Sequence, residues 1–217
     1  MITRRAFTAA LSLTGLAALA GLAPWRLIGG AMAQGAADVT KPVSLPDMAL
    51  GPANASVTII EYASMTCPHC AHFNDDVFPK IKSEYIDTGK VRYVFREFPL
   101  DEIALAASTA ARCVAKDDAP KYFALVDLLF KTQKDLVESP VATINRIGKQ
   151  AGSSDAAIKA CVDDDPSTKQ KVSADLRYAH EKLGVNGTPT FFINGEIYKG
   201  SPEFEAFDKK IKSLLKS

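Results

Sequence analysis

The chain has 217 residues and is nearly charge-balanced, with 26 Lys and Arg against 25 Asp and Glu. That balance leaves no electrostatic footprint for a nucleic acid or an anionic membrane surface. The length suits one domain with a full-sized core.

The N-terminus opens Thr3-Arg4-Arg5-Ala6-Phe7, followed by an Ala/Leu/Gly stretch and then Ala31-Met32-Ala33. A basic start, an apolar middle and small residues around one side chain are the parts of an export signal. It predicts a signal peptide over 1–33, cut after Ala33. The paired arginines before Phe7 are similar to a twin-arginine signal, with Thr8 where leucine is usual. An ordinary secretory signal is the alternative. A retained membrane anchor is disfavoured, because Pro24, Trp25 and Arg26 interrupt the apolar run before it reaches the ~20 residues a span needs. Cleavage would remove Arg4, Arg5 and Arg26, leaving 23 basic residues against 25 acids and a net charge of −2. All four cysteines lie beyond the cut, in a compartment where disulfides persist.

Residues 34–54 read as a Pro-interrupted linker, with a short edge strand near 43–45. A domain over 55–217 follows. Its first strand is predicted at 57–62, which is β-branched, apolar and short. Next comes Cys67-Pro68-His69-Cys70, and then Phe73, Val77 and Ile81 at helical spacing. The two cysteines therefore stand at a strand-to-helix junction, with Cys67 at the helix N-terminus and Pro68 near N1. Unpaired N–H groups and the helix dipole favour negative charge there. A protonated His69 would add a positive partner. All three effects favour a Cys67 thiolate, so its pKa should fall below the free value of ~8.5. Because the thiolate exists only in the reduced protein, each pKa unit of depression makes the couple more oxidising by ~30 mV. The competing readings are an inert disulfide and half of a zinc site. The zinc site would need two more ligands, with His72 the nearest candidate and no second Cys-x-x-Cys in the chain.

Pro79 is expected to kink or break this helix. Thr88-Gly89 makes a turn, and a second strand is predicted at 91–97. Strand, helix and strand within about forty residues form a βαβ unit, whose two strands run parallel. From 101 to 183 the pattern is helical throughout. Helices are expected at 102–115, 119–134, 141–151, 155–162 and 166–183, the last with a stripe of Val172, Leu176, Ala179 and Leu183 and with Gly184 past its end. A strand at 190–193, the turn Asn194-Gly195 and a returning strand at 197–199 form a hairpin. Ser201 and Pro202 are expected to open the last helix.

Gly187-Thr188-Pro189-Thr190 precedes the third strand. Proline at a strand start invites two readings. A trans proline that ends a loop is the common one. A cis Thr188–Pro189 bond would set the Thr188 backbone as a short edge beside the dithiol.

Cys-x-x-Cys at a strand–helix junction, a βαβ unit, and Gly-x-Pro before a hairpin and closing helix together form the thioredoxin pattern. Cys-Pro-His-Cys, the long helical insertion at about 100–184 and the export signal narrow it. The chain resembles the DsbA family of exported thiol–disulfide oxidoreductases from about 57 to 215. The resemblance implies an α/β, thioredoxin-like fold with an inserted all-helical module. It implies that Cys67 is the exposed nucleophile, Cys70 its buried partner, His69 the dipeptide residue that tunes the thiolate, and Pro189 a cis-proline facing the pair. Glu61 matches a buried acid beneath the site that helps Cys70 change protonation. A partly exposed strand-end glutamate is the other reading. Thr188 is a departure, since the best-known oxidase has valine there and some isomerases have threonine. Cys113 and Cys161 are either a structural disulfide or two buried thiols. Export favours the bond, and some relatives resembling this chain carry such a pair.

The function implied is donation of the Cys67–Cys70 disulfide to unfolded, newly exported proteins in the periplasm. The protein would act as a monomer and be reoxidised by a membrane quinone-linked, DsbB-like oxidase. No organic cofactor, metal or nucleic acid is needed. An isomerase or reductase of the same fold and a non-enzymatic client-binding module are the alternatives.

Overall fold

The computed structural model describes residues 38–42, 44–164 and 166–216. The predicted signal peptide lies outside the described residues, as does Val43 of the predicted edge strand. Ser44 and Leu45 form a bend. The edge strand stands instead at β1 (Met48–Leu50), antiparallel to β3. Residues 38–54 are more than a linker. Val39 and Met48 are buried, and the Asp175 carboxylate accepts from the Ser44 and Leu45 N–H groups at 2.8 and 3.1 Å.

β2 (Val57–Ala63) and β3 (Val91–Glu97) pair in parallel over their full length, joined through helix α1 (residues 68–86). β4 (Thr190–Ile193) runs antiparallel on the other side of β2, and β5 (Glu196–Ile197) closes the hairpin. The sheet order is β1-β3-β2-β4-β5. The central strands are covered on both faces, which is why they read as continuous apolar runs instead of alternating ones. One face, with Ile59, Ala63, Tyr93, Phe95 and Phe191, packs on α1 and the inserted helices. The other, with Ile60, Tyr62, Val94 and Phe192, is covered by Val39, Ala179 and Val185.

Helix α1 does not end at Pro79. It passes through wider π-type turns at Phe73–Val77 and Lys82–Ile86, with Pro79 in the first turn of the α segment between them. The Phe78 N–H reaches Phe73 O, five residues back. The widened turn accommodates a proline that has no N–H to give. The apolar face survives, with Phe73, Val77 and Ile81 all buried.

The insertion comprises α2 (Glu102–Ala115), α3 (Ala119–Lys131), α4 (Gln133–Glu138), α5 (Pro140–Gln150), α6 (residues 155–164) and α7 (Pro166–Leu183). The predicted helix at 119–134 is interrupted at Thr132, whose φ of −111° and ψ of 25° leave the helical region. The short α4 that follows has no counterpart among the sequence expectations. Asp101 caps α2, its carboxylate accepting from the Ala104 N–H at 2.7 Å. α7 ends at Gly184, with φ +71°. A buried ion pair fixes the insertion to the sheet. Arg112 on α2 donates to both oxygens of Glu97 at the end of β3, and the Tyr122 hydroxyl joins them.

The returning hairpin strand is shorter than expected, although the Tyr198 N–H still bonds Phe191 O at 2.8 Å. The last helix, α8 (Phe204–Leu215), starts after Glu203. The Ser201 hydroxyl accepts from the Glu203 N–H at 3.3 Å in the turn before it, so Ser201 shapes the entry and does not cap the helix. Phe207 and Ile211 of α8 are fully buried.

Candidate active site

β2 delivers the chain to the site and α1 carries it away. The turn between them is short and heavily bonded. The Cys67 N–H donates to Ser64 O at 3.1 Å, and the Cys67 carbonyl accepts from the Cys70 and Ala71 N–H groups at 3.1 and 3.2 Å. Cys67 is thereby the N-cap, extended at φ −81° and ψ 119°, with Pro68 at N1. It has no side-chain cap bond of the usual kind. Its sulfur instead faces the open first turn, where the helix has N–H groups to spare.

The two cysteines stand in opposite environments. The Cys67 thiol is pulled down to about 5. The main cause is the Cys70 thiol, which donates to its sulfur. The Thr188 side chain and the backbone N–H groups of Cys70 and His69 act in the same direction, and burial opposes them. Cys70 is fully buried, and burial pushes its thiol up. Its donation to Cys67 and the nearby Glu61 add to that rise. Cys67 itself is 6% exposed, so the nucleophile expected at the surface is recessed instead. Both thiols are free in this structure.

The Thr188–Pro189 peptide is cis. The Thr188 carbonyl lies 3.3 Å from the Cys67 sulfur and accepts from it when it is protonated. The Thr188 hydroxyl is buried with no conventional partner. Thr188 and Pro189 are themselves half-buried, and Pro68 and His69 are exposed. His69 contributes its backbone N–H to the sulfur, and its imidazole stands at the surface.

Glu61 is 2% exposed, on the face of β2 that points under α1. Burial pushes its carboxyl up to about 8, the Cys67 charge adds to the rise, and a bond from the Tyr93 hydroxyl to Oε2 opposes it. Its Oε1 is buried and unpartnered. Cys113 and Cys161 are joined as a disulfide between α2 and the end of α6, with Cα atoms 6.2 Å apart. His72 pairs with Asp76 at 2.7 Å and lies 3.8 Å from Glu203. His180 contacts Val185 O at 3.1 Å. Among the described residues no group of three or more His, Cys, Asp or Glu is placed to hold a metal ion, and no helix is long and apolar enough to cross a membrane.

Three further contributors were not anticipated. Tyr93 holds the buried acid. Its position was open to inference, because in the parallel register Phe95 stands opposite Glu61, which puts Tyr93 on the neighbouring diagonal, and a buried tyrosine hydroxyl needs a partner. Asp101 accepts from the Thr66 hydroxyl at 2.6 Å, linking the active-site turn to α2. Gln133 on α4 donates to both Met65 O and Cys67 O, each at 3.0 Å. No local pattern marks that contact, which spans 66 residues of sequence.

A family profile described as Thioredoxin matches residues 44–213. A Rickettsia bellii protein provisionally named a protein-disulfide oxidoreductase is 35% identical over 179 residues, which cover 80% of this chain and 68% of that protein. The Bacillus subtilis disulfide bond formation protein D is 28% identical over 173 residues, 77% of this chain and 76% of that one. The crystal structure of Wolbachia pipientis alpha-DsbA1 superposes with a TM-score of 0.72 at 34% identity, covering 78% of this chain and 92% of that one. The chain belongs to the thioredoxin family, as a DsbA-like thiol–disulfide oxidoreductase.

Proposed function

We propose that the protein works as an oxidase, giving the Cys67–Cys70 disulfide to exported client proteins. The observation that carries this reading is the contrast between the two sulfurs. Cys67 sits under convergent donors, whereas Cys70 is buried where an anion is disfavoured. A client thiolate attacks Cys67, the Cys67–Cys70 bond breaks, and Cys70 takes up a proton. Glu61, held protonated near neutral pH, is the nearby group suited to supply it. A mixed disulfide now joins the client to Cys67. A second client thiolate attacks the client sulfur, and Cys67 leaves as a thiolate, which is a good leaving group. The client loses two electrons and the protein gains them. An extended client segment pairs with the Thr188–Pro189 edge beside Cys67 while this happens, and Pro68 and His69 shape the exposed rim.

The proposal extends to the setting. Residues 1–33 are an export signal of twin-arginine type, removed on delivery to the periplasm. The mature protein acts as a monomer, and a membrane quinone-linked oxidase restores the disulfide. The Cys113–Cys161 bond is structural. The name of the Bacillus relative, a disulfide bond formation protein, supports the direction of transfer.

One observation favours a second reading. Thr188 occupies the position before the cis-proline, where some isomerases of the family have threonine. Equilibration of the purified protein with glutathione separates the two. A donor settles well above the ~−270 mV of thioredoxin, and a reductant settles near it. Cys67→Ser should abolish oxidation of a reduced, unfolded client. Retained activity would instead identify a binding module that needs no thiol chemistry.

A further inference from the structure

We infer that Gln133 is a positioning residue for thiol–disulfide exchange, holding the Met65 and Cys67 carbonyls so that the first-turn amides of α1 stay aimed at the Cys67 sulfur. The inference rests on the reading of Cys67 as the reacting thiol and names a part of the machinery outside the thioredoxin motifs.

The peptide unit between Cys67 and Pro68 has a single hydrogen-bonding handle. Proline has no N–H, so only the Cys67 carbonyl can fix the plane of that unit. Two of its contacts come from within α1, the N–H groups of Cys70 and Ala71. The third comes from outside, from Gln133 Nε2 at 3.0 Å. The same nitrogen reaches Met65 O at 3.0 Å, so one carboxamide spans the turn from before the nucleophile to its own carbonyl. A primary amide suits the task because it has two N–H donors on one atom.

Gln133 is itself well anchored. It opens α4, whose Leu136 is fully buried in the core. The Thr143 hydroxyl on α5 donates to Asp135 O at 3.0 Å, bracing α4 from the far side. The Thr132 hydroxyl bonds Leu128 O at 2.7 Å, where α3 stops. The break at Thr132 separates Gln133 from the axis of α3 and lets it begin a helix of its own against the turn. The helical insertion thus grips the active-site turn at two places, through Asp101 on Thr66 and through Gln133 on Met65 and Cys67.

Rotation of the Cys67–Pro68 peptide would carry the sulfur away from the His69 and Cys70 amides that lower its pKa. Gln133 supplies one of the three hydrogen bonds on the Cys67 carbonyl and a second on the Met65 carbonyl, both of ordinary strength. Their loss should cost about threefold to tenfold in the thiolate equilibrium, since one net hydrogen bond is worth roughly that factor.

Gln133→Met tests this. It keeps the chain length, adds no charge and removes both donors. The reduced protein is titrated by its ultraviolet thiolate absorbance, and the variant and the unchanged chain are each equilibrated with glutathione. The expected result is a higher Cys67 titration midpoint and a couple about threefold to tenfold more reducing, with an unchanged circular dichroism spectrum. A variant that melts earlier but titrates and equilibrates as the unchanged chain does would overturn the inference, leaving Gln133 a structural brace only. Should Gln133→Met not fold, Gln133→Asn is read in the same way, because it draws the amide back by one methylene. The unchanged chain guards the premise. If its Cys67 is not the first thiol to be alkylated at low pH, the reading of the site fails before Gln133 is judged.

Discussion

The asymmetry between the two sulfurs makes a prediction about stability that needs no mutation. In the reduced protein Cys67 titrates at about 5, against 9.0 for an unperturbed thiol. The folded value is the depressed one, so the stability it contributes is complete above pH 9 and is lost as pH falls toward 5. Between these limits the unfolded chain holds a proton that the folded chain has released. The stability of the reduced form therefore rises by ~1.4 kcal/mol per pH unit from this group. The oxidised form has no thiol at 67 and lacks that slope. Glu61 contributes to both forms with the opposite slope and largely cancels in the difference. From pH 5 to pH 8 the reduced protein should gain about 4 kcal/mol over the oxidised one. At pH 7 the accumulated gain is about 2.7 kcal/mol, which corresponds to about 60 mV in a two-electron couple. Urea denaturation of both forms across this range, with the reduced samples kept under excess dithiol, reads the difference directly. A reduced-minus-oxidised stability that is flat or falling with pH would refute the claim that the folded protein holds Cys67 as an anion.

Glu61→Gln should behave in the complementary way. The Glu61 carboxyl is pushed up to about 8 from 4.5, so the folded chain keeps a proton that the unfolded chain loses. Stability is then given up as pH rises from 4.5 to 8, at ~1.4 kcal/mol per unit. The variant lacks this slope and should gain about 3 kcal/mol on the unchanged chain between pH 5 and 7.5, read from paired thermal melts. Parallel curves would place the carboxylate's charge in water. Replacing Cys113 and Cys161 together by alanine opens a loop with a sequence separation of 48. The loop-entropy argument expects a loss of about 4 kcal/mol, or a melting temperature lower by roughly 8–16 °C. The Cys67 titration should stay where it is, and movement of that titration would show the second disulfide to be coupled to the first.

Much of this fold was legible because its signals are local. The β-branched run before Cys67, the helical stripe of Phe73, Val77 and Ile81, and Asn194-Gly195 between apolar runs each name an element from a few neighbours. The parallel pairing of β2 and β3 followed from the connection alone. The departures have separate physical origins. Pro79 is expected to kink or break α1; of the two, the break does not occur, because a buried apolar face on both sides of it outweighs one missing bond and the helix widens instead of stopping. The 119–134 pattern concealed a break at Thr132, because periodicity registers faces and not a single residue off the helical dihedrals. Ser201 looked like a cap from its place before Pro202, yet the helix starts at Phe204, where an aromatic face can reach the core. At the site the cysteines are visible from their spacing, and the cis form of Pro189 only through the family resemblance. Tyr93 required a strand register, and Gln133 required the packing of a helix that the sequence did not announce.

Cys67 and Cys70 lie three residues apart, on one turn of one helix, and yet their protons are held in opposite senses. Sequence distance cannot account for that. It follows from which end of each side chain meets the helix. Cys67 is the cap, so its sulfur meets the first-turn N–H groups of His69 and Cys70. Cys70 is already inside the helix. Its own N–H is spent on Cys67 O, and its sulfur points into the apolar face beside Phe73, over a carboxyl that is itself short of donors. The Cys70 proton is then best used by giving it to Cys67, which lowers one thiol and raises the other through the same bond. That contrast divides the work between the two sulfurs. The sulfur receiving the bond is the stable anion and the better leaving group, and the sulfur giving it is the one that must take up a proton when the disulfide opens.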